Sequence, residues 1–232
     1  VLAAGLLGMA GCKPDDIHIT DSSSDIYLPD QFRHFSSLSS DQFHGAMRSS
    51  GSNADYILEL YDHQLTREAT VEFFTAVTGS RRISDIILAE ASRQKISPAL
   101  AFALAYHESG FKIRAVNRNP TSIDRGLFQL NSKTFPHLQP EEFFNPERNT
   151  RLGLNHLQFC LDEGRNEVVG LAIYNAGLTR IKTGGTPLST LNYINRILSY
   201  RDNLQLLFEA QVVAKFSTAL AQANPELAAS GM

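Results

Sequence analysis

Glutamate is seldom set against apolar neighbours without a reason, and Glu108 ends the most apolar run in the chain, PALAFALAYHE over residues 98–108. A carboxyl group packed among apolar groups resists ionisation, so its proton survives near neutral pH. Such a proton can be handed to the leaving oxygen of a glycosidic bond. The alternative is a carboxylate that rounds off a helix at its solvent end, where the helix dipole disfavours it. Glu108 taken alone leaves both readings open. His107 is its neighbour in sequence, but adjacent helical residues do not share a face, so His107 is assigned to packing or a surface hydrogen bond. Asp124 is the second carboxylate of interest. An aspartate in a turn commonly accepts backbone amides. A pair of carboxylates about 5 Å apart is instead the equipment of a retaining glycoside hydrolase.

The elements that must position these groups read as helices. Asn53 is placed to cap a helix through Tyr56, Ile57, Leu60 and Tyr61, and a second apolar period over residues 70–77 stops at Thr78-Gly79-Ser80. Ile83, Ile86, Ile87 and Ala91 recur at helical spacing, with Arg81-Arg82 read as a solvated turn before them. Ser97-Pro98 starts the next helix, the serine as a cap and the proline at a first position that needs no donor. That helix is apolar on nearly all sides and must be central, and Gly110 is placed to end it. Residues 111–130 are rich in turn formers and read as a long loop or a small hairpin, with Gly126–Leu130 a strand end or a buried turn. Helix returns near Pro146, again from Glu167 to about Gly177, and from Leu188 to about Ala221 after a flexible connection, Thr183–Pro187.

The 232 residues, 43% hydrophobic and 19% charged, suffice for one substantial core with polar chain left over. A formal charge of −3 gives no long-range attraction for nucleic acid. The two cysteines make no disulfide scaffold, and neither lies at metal-ligand spacing, so no metal and no organic cofactor is expected. Cys160 sits in an apolar helical pattern and reads as a buried thiol. Cys12 follows eleven apolar residues, VLAAGLLGMAG, too few to span a bilayer. Met9-Ala10-Gly11-Cys12 resembles the processing box of bacterial lipoproteins, in which the cysteine carries the lipid. The polar stretch after it, residues 13–53, reads as a tether with isolated aromatics at Tyr27, Phe32, Phe35 and Phe43.

From Tyr106 onward three fragments stand in order: Glu108-Ser109-Gly110-Phe111, then Ala115-Val116-Asn117, then Ser122-Ile123-Asp124-Arg125-Gly126-Leu127-Phe128-Gln129-Leu130-Asn131. The set resembles the active-site motif of lytic transglycosylases of the soluble-lytic type and of animal lysozymes. Asn145–Asn149 with Gly153, then Tyr174-Asn175-Ala176-Gly177, then Tyr193 with Ile197 resemble further motifs of the bacterial transglycosylases. The resemblance covers roughly residues 83–204. It implies a mainly α, lysozyme-like fold with a central buried helix and extra helices ahead of it. It also implies a substrate, the glycan strands of bacterial peptidoglycan, and a single acid-base, Glu108. Ser109, Asn117, Ser122, Asp124, Gln129, Tyr174, Asn175 and Tyr193 are then the candidate substrate-binding residues. For the two tyrosines core packing is the other reading, and for Asn175 a helix-end role.

The implied chemistry cuts the bond between N-acetylmuramic acid and N-acetylglucosamine without water and leaves a 1,6-anhydro sugar. Asp124 keeps a hydrolytic muramidase in view, since it stands where some animal lysozymes carry their second carboxylate. A peptidoglycan-binding or scaffold protein on an inactive lysozyme-like fold and an unrelated helical interaction module are the readings from other classes. The presence of Glu108 counts against an inactive fold. The chain divides as a signal-like remnant (1–12), a tether (13–53), accessory helices (54–82), a lysozyme-like domain (83–222) and a tail (223–232). Such a substrate places the protein in the periplasm or cell envelope, held to a membrane through Cys12.

Overall fold

Asp55 caps the first helix, its carboxylate accepting the amides of Ile57 (3.0 Å) and Leu58 (3.2 Å). In this computed structural model, residues 55–215 are described. The lipidation cysteine Cys12, the tether, Asn53 and the tail lie outside the described residues. The first helix, α1, is Tyr56–Asp62, so it begins two residues later than a cap at Asn53 would require. Helix α2 (Arg67–Thr78) stops at Gly79, whose φ of 69° is the left-handed turn glycine tolerates. The Ser80 hydroxyl then accepts the amide of Ile83 at 3.4 Å and opens α3 (Arg81–Gln94). Arg81 and Arg82 therefore form the first turn of a helix and not a separate turn. They remain solvated, paired across the surface with Glu68 and Glu147, and exposed pairs of this kind add little.

Helix α4 (Pro98–Ser109) is the centre of the fold, with every residue from Pro98 to Ala105 buried. Pro98 occupies the first helical turn as its missing donor allows, but the Ser97 hydroxyl caps nothing and is a buried oxygen without a partner. The start thus rests on proline geometry. Its end follows the sequence, since Gly110 adopts φ 57° and donates its amide to the carbonyl of Tyr106 at 2.7 Å. Phe102 stacks on Phe74 of α2 with ring centroids 4.0 Å apart. Phe208, near the far end of the chain, packs against Phe73, Phe74 and Tyr56. One buried cluster runs from Ile57 to Val212.

Beyond Gly110 the chain forms three short antiparallel strands, β1 (Val116–Arg118), β2 (Ile123–Arg125) and β3 (Leu130–Asn131), in the order β1-β2-β3. The register sets Asn117 opposite Asp124 and Asp124 opposite Asn131, a row of three polar residues across the sheet. A 3-10 turn (Pro140–Phe144) leads into α5 (Pro146–Gly164) and α6 (Glu167–Ala176). Helix α7 (Leu178–Gly184) takes in Thr183 and Gly184, so the loose connection shrinks to residues 185–187. Helix α8 (Leu188–Phe208) continues into a π turn, Glu209–Val213. The described fold is mainly helical, with a central buried helix and a small sheet after Glu108, as expected.

Because Phe74 joins α2 to both α4 and the end of α8, Phe74→Ala is expected to destabilise the whole molecule, by about 3–5 kcal/mol. Urea unfolding followed by far-UV circular dichroism and by tyrosine fluorescence checks this. Two probes that separate into two transitions would mean that α1 and α2 melt on their own.

Candidate active site

Glu108 lies in the last turn of α4, where the fully buried residues give way to partly buried ones. Tyr193 reaches it from α8, the phenol donating to Oε1 at 2.5 Å. Burial pushes the Glu108 carboxyl up to about 7, the Tyr193 hydrogen bond pulls it partly back, and the negative charge of Asp124 adds to the rise. The shift puts protonation of this carboxyl near neutrality, as a proton donor requires. Burial and the nearby Glu108 carboxylate hold the Tyr193 phenol well above its ordinary range, so it stays a donor.

Asp124 is held differently. Its carboxylate accepts side-chain amides from Asn119 (2.7 Å), Asn131 (2.6 Å) and Asn117 (3.3 Å). These donors lie on three segments of the sheet region, so Asp124 ties the strands together and is not a turn aspartate capping backbone amides. Ser122 shares the cluster, accepting from Asn131 at 2.9 Å and Asn119 at 3.3 Å.

Gln129 follows β2 in the turn from Gly126 and has a positive φ of 44°. Its amide donates to the carbonyls of Gly126 (2.9 Å) and Ala115 (3.2 Å), which pins the side chain to the turn that carries it. The Tyr174 phenol donates to the carbonyl of Phe128 in the same turn at 2.9 Å. Burial and the charge of Glu108 raise the Tyr174 phenol well above its usual range. Ser109 turns back on its own helix and donates to the carbonyl of Ala105 at 3.0 Å. Asn175 is exposed and accepts from Thr190 at 2.8 Å, which ties the end of α6 to the start of α8. Glu108, Tyr193, Tyr174, Gln129 and the Asp124 cluster are thus gathered on one site, while Ser109 and Asn175 make their hydrogen bonds elsewhere.

The sequence did not single out Asn149 as a positioning residue. It is fully buried in α5, accepts the amide of Phe128 at 2.8 Å, and donates to the carbonyls of Phe143 (2.8 Å) and Arg125 (3.0 Å). Its side chain therefore ties the end of β2 and the turn that bears Gln129 to the 3-10 turn before α5. Glycine is required at the turn's first position, because a Cβ on Gly126 would lie 2.4 Å from the Phe143 carbonyl oxygen. The signal in the sequence was an asparagine in the interior of a helix, where it is a poor helix former without a partner. His107 fills the role expected of it, its ring lying edge-on to Tyr106 and Tyr200 with its proton affinity lowered by burial. Cys160 is buried, its thiol pushed up to about 12. Among the described residues no group of three or more histidine, cysteine or acidic side chains is placed to hold a metal ion.

Residues 85–188 match the family described as the transglycosylase SLT domain. That match covers less than half of the chain, and over it the chain is similar to that family. The match ends ahead of Tyr193, which the fold nonetheless brings onto Glu108. Among solved structures, the chain is similar to the 70-kDa soluble lytic transglycosylase in its complex with bulgecin A. The identity is 20%, over 64% of this chain and 32% of that one, with a TM-score of 0.47. The chain thus spans about a third of that protein.

The raised Glu108 carboxyl fixes a pH dependence of stability. Below about pH 4.5 the group is neutral both folded and unfolded, and stability is highest with respect to it. As pH rises through about 7 the unfolded chain ionises first, and the folded state loses stability relative to it, by on the order of 3 kcal/mol once the window is passed. Glu108→Gln removes this penalty. Its thermal midpoint is expected to exceed that of the unaltered chain at pH 8 and to approach it at pH 4, as scanning calorimetry at both values would show.

Proposed function

We propose that the chain is a peptidoglycan lytic transglycosylase in which Glu108 acts first as acid and then as base. The observation that carries this reading is a buried carboxyl with raised proton affinity and a single phenol donor. Glu108 gives its proton to the glycosidic oxygen as the C1–O bond of N-acetylmuramic acid breaks, and N-acetylglucosamine departs with a free 4-hydroxyl. The substrate's N-acetyl oxygen shares the positive charge at C1. The Glu108 carboxylate then takes the proton of the C6 hydroxyl as that oxygen bonds to C1. The acid is regenerated, the product is a 1,6-anhydro end, and no water is consumed. Tyr193 keeps the carboxyl oriented through both steps, and the Gln129 turn supplies one wall of the site.

Asp124 supports a second reading, a hydrolytic muramidase, because its charge acts on Glu108. Its hydrogen bonds argue the other way, since three amide donors occupy the oxygens that a nucleophile would present. Export to the periplasm or cell envelope and a lipid on Cys12 complete the proposal, and would hold the enzyme on a membrane beside the wall.

Digestion of purified sacculi with mass analysis of the sugar ends tests the chemistry. Anhydro-muramic ends are expected, and reducing muramic ends with water incorporated would establish the hydrolase. Glu108→Gln should lower the rate by roughly 10²–10⁴-fold. Activity of the unaltered chain should fall as pH rises through about 7, where Glu108 loses its proton. Tyr193→Phe removes the donor that favours the ionised form, so the same fall should move to higher pH while the maximal rate drops.

A further inference from the structure

Helix α8 carries Tyr193 to Glu108, yet its beginning is weakly held. Pro187 opens it without a side-chain cap, and the chain enters from the exposed residues Gly185 and Thr186. Leu188 and Leu191 are 74% and 48% exposed, so they anchor the first turn poorly. Of its first four residues only Thr190 is buried, at 2% exposure. The Thr190 hydroxyl donates to Asn175 Oδ1, at the end of α6, at 2.8 Å. Valine has nearly the same shape, and a hydroxyl withdrawn from water costs stability unless it is bonded. The threonine is therefore explained by its hydrogen bond and not by packing. At the other end of this helix pair, Arg201 of α8 meets Glu167, the first residue of α6. The two helices run antiparallel and are tied by side chains at both ends.

We propose that Thr190 is a positioning residue whose hydrogen bond to Asn175 sets the first turn of α8, and through it the approach of Tyr193 to Glu108. This rests on the reading of Glu108 as the acid. Tyr193 stands three residues after Thr190, one turn along the same face, so a shift of that turn is passed directly to the phenol. The phenol has little room for error, since it donates to Glu108 at 2.5 Å. Tyr174, the neighbour of Asn175, donates to the Phe128 carbonyl, so the last turn of α6 holds the Gln129 turn with one residue and α8 with the next. Asn175, which the sequence offered as a substrate contact, then acts through Thr190. Thr190 lies beyond residues 85–188, the family match, and its role follows from the fold and not from that likeness. Without the bond, the Glu108 carboxyl loses part of a donor that favours its ionised form and keeps its proton to higher pH. Its orientation suffers as well, and a misplacement of about 1 Å can lower a rate by roughly 10²-fold.

The test compares the full chain with Thr190→Val, Thr190→Ser and Asn175→Ala. The Glu108 carboxyl is titrated by carboxyl-carbon NMR on the protein alone, and sacculus digestion is followed across pH. Thr190→Val should move the Glu108 midpoint upward from about 7, in the direction of Tyr193→Phe, and Asn175→Ala should do the same. The alkaline fall of activity should move with it, while the maximal rate drops roughly tenfold or more. Thr190→Ser keeps the hydroxyl and should restore both, which a general loss of packing would not allow. In a Tyr193→Phe background Thr190→Val should move the midpoint no further. An unmoved midpoint in Thr190→Val overturns the proposal, as does a shift that persists without the Tyr193 hydroxyl. A rate loss in Asn175→Ala with none in Thr190→Val overturns it too, and makes Asn175 a substrate contact. The titration needs no substrate, so the two levels separate. If the midpoint moves as expected but the unaltered chain releases no 1,6-anhydro ends, the proposed reaction has failed and the positioning role stands. If those ends appear and the midpoint is unmoved, only the positioning role has failed.

Discussion

A carboxyl group largely withdrawn from water, with one phenol donating to it, is the condition on which the rest of this structure depends. To bury Glu108 the chain must end an apolar helix at it, and an apolar helix has to be wrapped. Helices α2, α3 and α8 do the wrapping, with Phe74 and Phe208 filling the contact from two distant parts of the sequence. The wrapping helix α8 also delivers Tyr193, eighty-five residues along the chain from the acid it touches. Core and chemistry are therefore one arrangement, and the forces that act on Glu108 are burial, a phenol and a like charge, with no cation among them. A lysine or arginine in place of that phenol would pull the carboxyl back toward its ordinary acidity and remove the proton donor.

The opposite wall of the site depends on a second buried polar group. Asn149 satisfies two backbone groups at the end of β2 and in the tight turn after it, and a third in the 3-10 turn before α5, each of which would cost about 1–3 kcal/mol if buried unpaired. The price of that tightness appears in the neighbouring residues. Gly126 leaves no room for a Cβ, and Gly153 lets Phe128 lie directly against α5, where a Cβ would come within 2.4 Å of it. Gln129 accepts a left-handed backbone in the same turn. The reward is position: the Phe128 carbonyl is fixed where Tyr174 can donate to it, and Gln129 is held by two carbonyls instead of swinging free.

What the sequence made legible follows from the range of the forces involved. Gly79 and Gly110 mark helix ends because a left-handed residue is a local requirement, and Pro98 marks a start for the same kind of reason. The central place of α4 was legible because a helix apolar on all sides has nowhere else to go. Ser97 misled, since a serine before a proline offers a hydroxyl but not the geometry to use it. Arg81-Arg82 misled because charged residues suit the first turn of an exposed helix as well as a loop. The sheet could be read only as a loop or a hairpin, since its three strands are too short to show a period and its stability comes from Asp124, Asn117, Asn119, Asn131 and, across the fold, Asn149. Glu108 could be singled out in its company of motifs, whereas the 2.5 Å hydrogen bond from Tyr193 is a tertiary fact that no local pattern encodes.

The two carboxylates now separate on physical grounds. The charge of Asp124 acts on Glu108, yet their hydrogen-bonding partners are opposite in kind. Glu108 has one hydroxyl donor and is otherwise packed, an environment that favours the proton. Asp124 is met by three amide N–H groups, an environment in which a carboxylate serves as an acceptor. A carboxylate offers about four lone-pair directions, and three of Asp124's are taken up within the sheet. To attack C1 it would have to give up hydrogen bonds that hold β1, β2 and β3 in register, so the step would loosen the wall against which the substrate is placed. Left in its cluster, it can still act at a distance, its negative charge adding to the burial that keeps the proton on Glu108. The division that results is a carboxyl on the helix whose surroundings favour the proton and a carboxylate on the sheet whose oxygens are engaged in holding three strands together.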